Sequence, residues 1–182
     1  GGEEDDILRM AGAASARDTR KPSYLKINPN ARVPAIVHDG TPIWESAAIT
    51  MYLGEVFGVE AGLYPPLSPK RGEAMKWIVW SNVSLAEAAS RLFMSQPCES
   101  TDAATTDPTS LDWVPSELRS EAAGVKATKD LGVCFKVLDD ALEENGKSFL
   151  VGDYTLADTH VNSIVGWVNM MKFDLKPYPN VE

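Results

Sequence analysis

Gly62-Leu63-Tyr64-Pro65-Pro66-Leu67-Ser68-Pro69 is the stretch that most limits how this chain can fold. Its prolines remove backbone donors and clash with a preceding helical turn, so neither a helix interior nor a central strand can cross it. The chain must break between Gly58 and Pro69, and the sequence changes texture there. Residues 1–57 mix short strand-like runs with turns, whereas residues 68–171 are almost wholly helical in period. Two domains are expected, 1–62 and 63–182, and 182 residues suffice for two small cores.

In the first domain Asp6–Met10 reads as a short strand, Ala11–Lys21 is polar, and Pro22 opens a short turn or helix through Leu25. Ala35–Val37 and Ile43–Trp44 flank Asp39-Gly40. An Asp-Gly pair between apolar runs predicts an antiparallel hairpin, because a type I′ turn needs positive φ at both central residues. From Ser46 onward Ala48, Ile49, Tyr52, Leu53, Val56 and Phe57 make the stripe of an amphipathic helix, and Gly58 is expected to end it in the left-handed C′ position.

In the second domain Ser68 is expected to cap a helix whose first residue is Pro69. Ala74, Trp77, Ile78, Ser81, Leu85, Ala88, Ala89 and Leu92 form one face of that helix, which should stop before Pro97. The small polar stretch Glu99–Ser110 reads as a mobile loop. A second helix is predicted over Ser116–Asn145, burying Leu131, Cys134, Phe135, Leu138 and Leu142 and ending at Gly146. Thr155 followed three residues later by Asp158 predicts a capping box, ahead of a helix that buries Val161, Ile164, Val165 and Val168. The capping role accounts for the spacing of Asp158 without a catalytic one.

Charge and composition exclude several functions. A net charge of −9 repels a nucleic-acid backbone or an anionic membrane. No apolar run approaches the roughly 20 residues of a transmembrane helix. Cys98 and Cys134 are the only cysteines, with neither the spacing nor the histidine companions of a zinc site, so no metal is expected. The chain reads as soluble, cytoplasmic or organellar, and its residues do not fix the compartment.

"YLKINPNARVPAIVHDGTPIWESAAITMYLGEVFG", residues 24–58, and "FLVGDYTLADTHVNSIVGWV", residues 149–168, together resemble the cytosolic-type glutathione S-transferases, the first their thioredoxin-like half and the second their helical half. The resemblance implies an α/β thioredoxin-like domain, here partial, followed by an all-α domain. It further implies glutathione as substrate, small hydrophobic electrophiles as co-substrates, and a homodimer or a subunit of a larger assembly. Residue by residue, Pro34 would be cis and Val33 would pair its backbone with the cysteinyl part of glutathione. Ser46 would face the γ-glutamyl carboxylate and Glu45 the α-ammonium group, while Lys26, Asn30 and Arg32 lie near the family's glycyl-carboxylate contacts. Trp77, Trp80 and Phe93 are candidates for the border of the electrophile pocket, with core packing the competing role. The family's first strand and helix, which carry its thiolate-stabilising Ser, Tyr or Cys, have no counterpart in residues 1–20, and its last helix is not matched either. No catalytic residue is therefore assigned; the resemblance implies conjugation if that segment belongs to the full protein, and a non-catalytic subunit or scaffold as the alternative.

Overall fold

The computed structural model describes residues 18–95, 120–146 and 148–181. The predicted strand Asp6–Met10, the loop Glu99–Ser110, and the segment 116–119 assigned to the second long helix lie outside the described residues. The contacts divide the chain into one compact unit up to Leu53 and another from Gly54 onward. The first is thioredoxin-like with a small sheet and the second is helical.

The described part of the first unit begins with a 3₁₀ turn, Asp18–Arg20, and the single helical turn α1, Pro22–Leu25, which has proline at its first position. Strands β1, Ala35–His38, and β2, Thr41–Trp44, pair antiparallel in the register Ala35↔Trp44, Ile36↔Ile43, Val37↔Pro42 and His38↔Thr41. Asp39 and Gly40 both have positive φ, 48° and 73°, as the predicted turn requires. Ala35 and Ile36 are buried while β2 is largely exposed. Pro42 donates no amide to the ladder, which suits an exposed strand. Helix α2, Ser46–Leu53, follows and buries Ile49.

α2 runs on into a π turn, Gly54–Gly58, and here the sequence reading needs correction. Gly58 is not among the positive-φ glycines; that conformation belongs to Gly62, at 71°. Gly54 and Gly58 are small because Tyr64 lies on them. A Cβ at Gly54 would come within 2.7 Å of the Tyr64 ring, and one at Gly58 within 2.9 Å of the Tyr64 Cβ. The Gly58 carbonyl accepts the amides of Leu63 and Tyr64, turning the chain back over the π turn.

The helical unit is built on α3, Pro69–Trp80, a π turn over Ser81–Leu85, and α4, Ala86–Ser95, which succeed one another without a break. All eight residues predicted for the buried face of this rod are buried. Ser68 stands at the N-cap of α3 but its side chain does not cap the helix. Its hydroxyl donates instead to the Pro66 carbonyl at 3.0 Å. Helix α5, Glu121–Glu144, is capped by Ser120, whose Oγ accepts the Ala123 amide at 3.2 Å. It buries Ala127, Leu131, Phe135 and Leu138; the predicted Cys134 and Leu142 are only half-buried, at the edge of that stripe. Gly146, at φ 78°, does take the left-handed position expected after the helix. Helix α6, Leu156–Met170, packs against α3 and α4 and buries the predicted Val161, Ile164, Val165 and Val168 together with Ala157 and His160. Among the described residues no helix is long and apolar enough to cross a membrane.

Candidate functional site

The hairpin register brings together residues that sequence separation keeps apart. Ala35, first in β1, lies opposite Trp44, last in β2, so Val33-Pro34 and Glu45-Ser46 leave the same end of the ladder. The Val33–Pro34 peptide is cis. Val33 is 55% exposed, and its backbone groups make no hydrogen bond among the described residues. An extended peptide laid along it would find one donor and one acceptor open, the elements of strand addition.

The loop leading to Val33 is fixed by Asn28, which is buried. Asn28 Nδ2 donates to the Arg32 carbonyl at 2.7 Å, and the Tyr24 hydroxyl donates to the same oxygen at 2.6 Å. Asn28 Oδ1 in turn accepts the Asn30 amide at 3.0 Å and its side-chain amide at 3.1 Å. Ala31 adopts φ 55° to complete the turn. This hub is legible in the sequence only through the Asn28-Pro29 pair, since an Asn side chain readily closes a local turn. Asn30, a candidate ligand contact from sequence, thus has its side chain committed to Asn28.

At the start of α2 the Glu45 carbonyl accepts the Ile49 amide at 2.9 Å, which makes Glu45 the N-cap and Ser46 the first helical residue. Glu45 holds φ 73°, a left-handed conformation that costs a non-glycine residue about 1 kcal/mol or more. Its carboxylate is exposed and makes no hydrogen bond or ion pair among the described residues. The first turn of a helix presents amides without intrahelical acceptors and a partial positive charge. An exposed carboxylate beside such a turn provides both signs of charge within one residue of each other, which fits a zwitterionic amino-acid head group. His38 Nδ1 and the Tyr52 hydroxyl are hydrogen-bonded, their rings 5.7 Å apart edge to face, and so tie β1 to the second turn of α2.

In the helical unit Thr155 and Asp158 form a capping box at the start of α6. Thr155 Oγ1 accepts the Ala157 amide at 3.2 Å, and Asp158 Oδ2 accepts the Thr155 amide at 2.8 Å. The other carboxylate oxygen, Oδ1, accepts the Leu150 amide at 2.8 Å. Both oxygens are thus occupied by backbone donors. His160 is buried, and its Nε2 is 2.8 Å from Asn82 Oδ1 in the π turn; burial pushes its pKa down. Burial pushes the Cys134 thiol up, away from the thiolate a nucleophile needs. Trp77 packs edge to face on Trp80, and Phe93 packs on Trp167, so these rings are paired inside the helical unit. No cluster of three or more metal-ligating side chains occurs among the described residues.

Comparison with known proteins assigns both halves. The family model described as "Glutathione S-transferase, N-terminal domain" matches residues 13–55, and that for the C-terminal domain matches residues 101–182. Glutathione S-transferase D7 of Drosophila melanogaster is 30% identical over 167 residues, 91% of this chain and 65% of the relative, so the chain spans about two thirds of that protein's length. Among solved structures, Ure2p in complex with glutathione superposes with a TM-score of 0.71 at 22% identity, covering 90% of this chain and 70% of that one. A glutathione S-transferase from Pseudomonas fluorescens gives 0.69 at 23% identity, covering 90% and 72%. A glutathione transferase from Burkholderia graminis, with two glutathione molecules bound per subunit, gives 0.66 at 22% identity, covering 90% and 65%.

Proposed function

Because this chain belongs to the glutathione S-transferase family, we propose that the end of the hairpin holding Val33, Pro34, Glu45 and Ser46 is its glutathione site. The observation that carries the reading is the register, by which the exposed, unpaired backbone of Val33 and the first turn of α2 leave the same end of the hairpin. Val33 pairs its amide and carbonyl with the cysteinyl backbone as an added strand would. The first turn of α2, at Ser46, receives the γ-glutamyl carboxylate. Glu45 accepts the α-ammonium group of the same residue. Pro34 shapes the approach and makes no polar contact.

Glutathione is in this reading a substrate: its sulfur bonds to the electrophilic carbon of a small hydrophobic compound, the thiol proton is lost, and a leaving group departs where the electrophile carries one. No side chain among the described residues is assigned to activating the thiol, so the residues above position the peptide and no more. The working form is a homodimer or a subunit of a larger assembly.

Calorimetric titration with glutathione tests the site. Glu45→Gln and Ser46→Ala should each weaken binding about tenfold, the loss of one charge-assisted hydrogen bond, without lowering the denaturation midpoint by more than a small amount. Unchanged affinity in both would remove the site. Conjugation to a chromogenic electrophile, measured on the same protein, then separates transferase from non-catalytic binder.

A further inference from the structure

We propose that Asn145 is a site of spontaneous covalent modification, its side-chain amide being lost to the following glycine through a cyclic imide, and that this change unlatches the end of α5 from the entry of α6. Asn145 is the only asparagine in the chain that is followed by glycine. Both residues are exposed, at the C-cap of α5 and the position after it, where helix ends fray and open most readily. The site lies wholly in the unit from Gly54 onward and does not depend on the glutathione reading.

The chemistry needs only water and hydroxide. The Gly146 nitrogen, on losing its proton to hydroxide, attacks Asn145 Cγ. The new C–N bond closes a five-membered ring, the Cγ–Nδ2 bond breaks, and the side-chain nitrogen leaves as ammonia with a proton taken back from water. A second water then opens the ring at one of its two carbonyls, leaving aspartate or, with the main chain rerouted through the side chain, isoaspartate. A side chain on the attacking residue hinders this approach, and Gly146 has none. Packing does not demand glycine there, since a Cβ would meet nothing within 4 Å; the left-handed φ of 78° does. The Gly146 amide makes a long bond, 3.3 Å, to the Glu143 carbonyl, so little restrains the attacking nitrogen. The other asparagines precede a proline, which has no N–H to lose, or a residue that carries a side chain.

The bond that restrains Asn145 is also what makes its loss consequential. Asn145 Nδ2 donates to the Leu150 carbonyl at 2.9 Å, so attack waits for that contact to open. Leu150 is buried, and its amide is held by Asp158 Oδ1, whose other carboxylate oxygen holds the Thr155 amide. Asn145 is therefore the outer end of a run of hydrogen bonds leading from α5 to the capping box of α6. The carboxylate product has no hydrogen to donate, so two acceptors would face each other at Leu150. It would also place a new negative charge at the C-terminal end of a helix whose last residues are already Glu143 and Glu144. Isoaspartate adds a methylene to the main chain and disrupts the turn at Gly146.

Incubating the unaltered, folded protein in neutral and mildly alkaline buffer, followed by tryptic mapping, tests this. Asn145 is the only asparagine in fragment 137–147, while Asn162 and Asn169 share fragment 148–172 as internal controls. Fragment 137–147 should gain the mass of an NH2-to-OH exchange several-fold faster than fragment 148–172 does, and faster still as pH rises. It should also accept methyl groups from an isoaspartate-specific methyltransferase. The modified protein should show a lower urea midpoint and faster hydrogen exchange at the Leu150 and Thr155 amides. Asn145→Gln should keep the mass of that fragment, because its longer side chain would have to close a six-membered ring, and Asn145→Asp should reproduce the lower midpoint without incubation. Equal rates in the two fragments, or an equal mass gain in Asn145→Gln, would overturn the modification. A modified protein with the parent's midpoint and the parent's exchange at Leu150 and Thr155 would overturn the unlatching. The mapping uses the unaltered chain, so it decides even if a variant folds poorly.

Discussion

Two helix starts in this molecule face the same physical problem and meet it in opposite ways. Both α2 and α6 begin with amides that have no intrahelical acceptor. At α6 the chain supplies the acceptors itself: Thr155 Oγ1 and Asp158 Oδ2 close the box, and Asp158 Oδ1 also gathers the Leu150 amide from the preceding loop. At α2 the N-cap residue is Glu45, left-handed, exposed, with a carboxylate unengaged among the described residues. The first is sealed with good local geometry, the second carries local strain and an open charge. A closed start is what a buried helix entry needs to fold, and an open one at the same end of the hairpin as the unpaired backbone of Val33 is what a ligand can use.

The largest effect should come from breaking the closed start. Asp158→Ala removes acceptors from the Thr155 and Leu150 amides at once, which should cost about 2–4 kcal/mol in stability. Urea denaturation reads this as a lower midpoint, while glutathione affinity of the folded protein stays unchanged. A fall in affinity with an unmoved midpoint would give Asp158 the role assigned here to Glu45. Asp158→Asn, which keeps one acceptor, should fall between.

How much of this contrast was legible in sequence follows from range. The capping box is a local pattern, and Thr155 and Asp158 announce it by spacing alone. The hairpin was equally local, because only Asp39-Gly40 suits a turn with two positive φ values. Buried helix faces were read well along α3, α4 and α6, where the apolar stripe dominates. What sequence could not show depends on residues meeting across loops. The second bond of Asp158, to Leu150, and the Asn28 hub beneath Val33 are of this kind. So is the reason for Gly54 and Gly58: Gly58 reads as a helix stop, and only the packed Tyr64 ring explains why both are glycine. The left-handed Glu45 was hidden for another reason, since glutamate has no propensity for that conformation and nothing local predicts it.

A smaller effect sharpens the comparison through pH. The sealed entry of α6 fixes His160 against Asn82, buried and with its pKa pushed down. The unfolded chain therefore binds a proton near pH 6.5 that the folded chain resists. Stability from this residue is complete above that pH and is lost as pH falls toward the depressed folded value, by at most about 1.4 kcal/mol per pH unit. Urea midpoints measured between pH 7.5 and 5.5 should decline in the parent. His160→Gln, which can still donate to Asn82, should flatten that decline. An unchanged slope would mean that His160 is reached by water in the folded state and that α6 is less tightly seated than its cap implies.

The smallest expected stability change carries the sharpest test of the open start. Glu45→Gly replaces a left-handed glutamate with the residue that adopts φ 73° most readily. If nothing but folding were at stake, the substitution should be an improvement. The relief of backbone strain, less the extra chain entropy of glycine, should leave a gain of about 0.5–1 kcal/mol. The same change deletes the carboxylate assigned to the ligand's ammonium group, so glutathione affinity should fall about tenfold. Rising stability with falling affinity is the signature of strain retained for binding, and the corresponding changes at α6 cannot produce it because its cap is structural on both counts. Glu45→Gln separates the two contributions, since it removes the charge and keeps the strained backbone: affinity should fall as far, with no gain in the midpoint. A Glu45→Gly protein that binds glutathione as tightly as the parent would show that the conformation at Glu45 serves only the turn from β2 into α2, and the two helix starts would then differ in geometry and not in purpose.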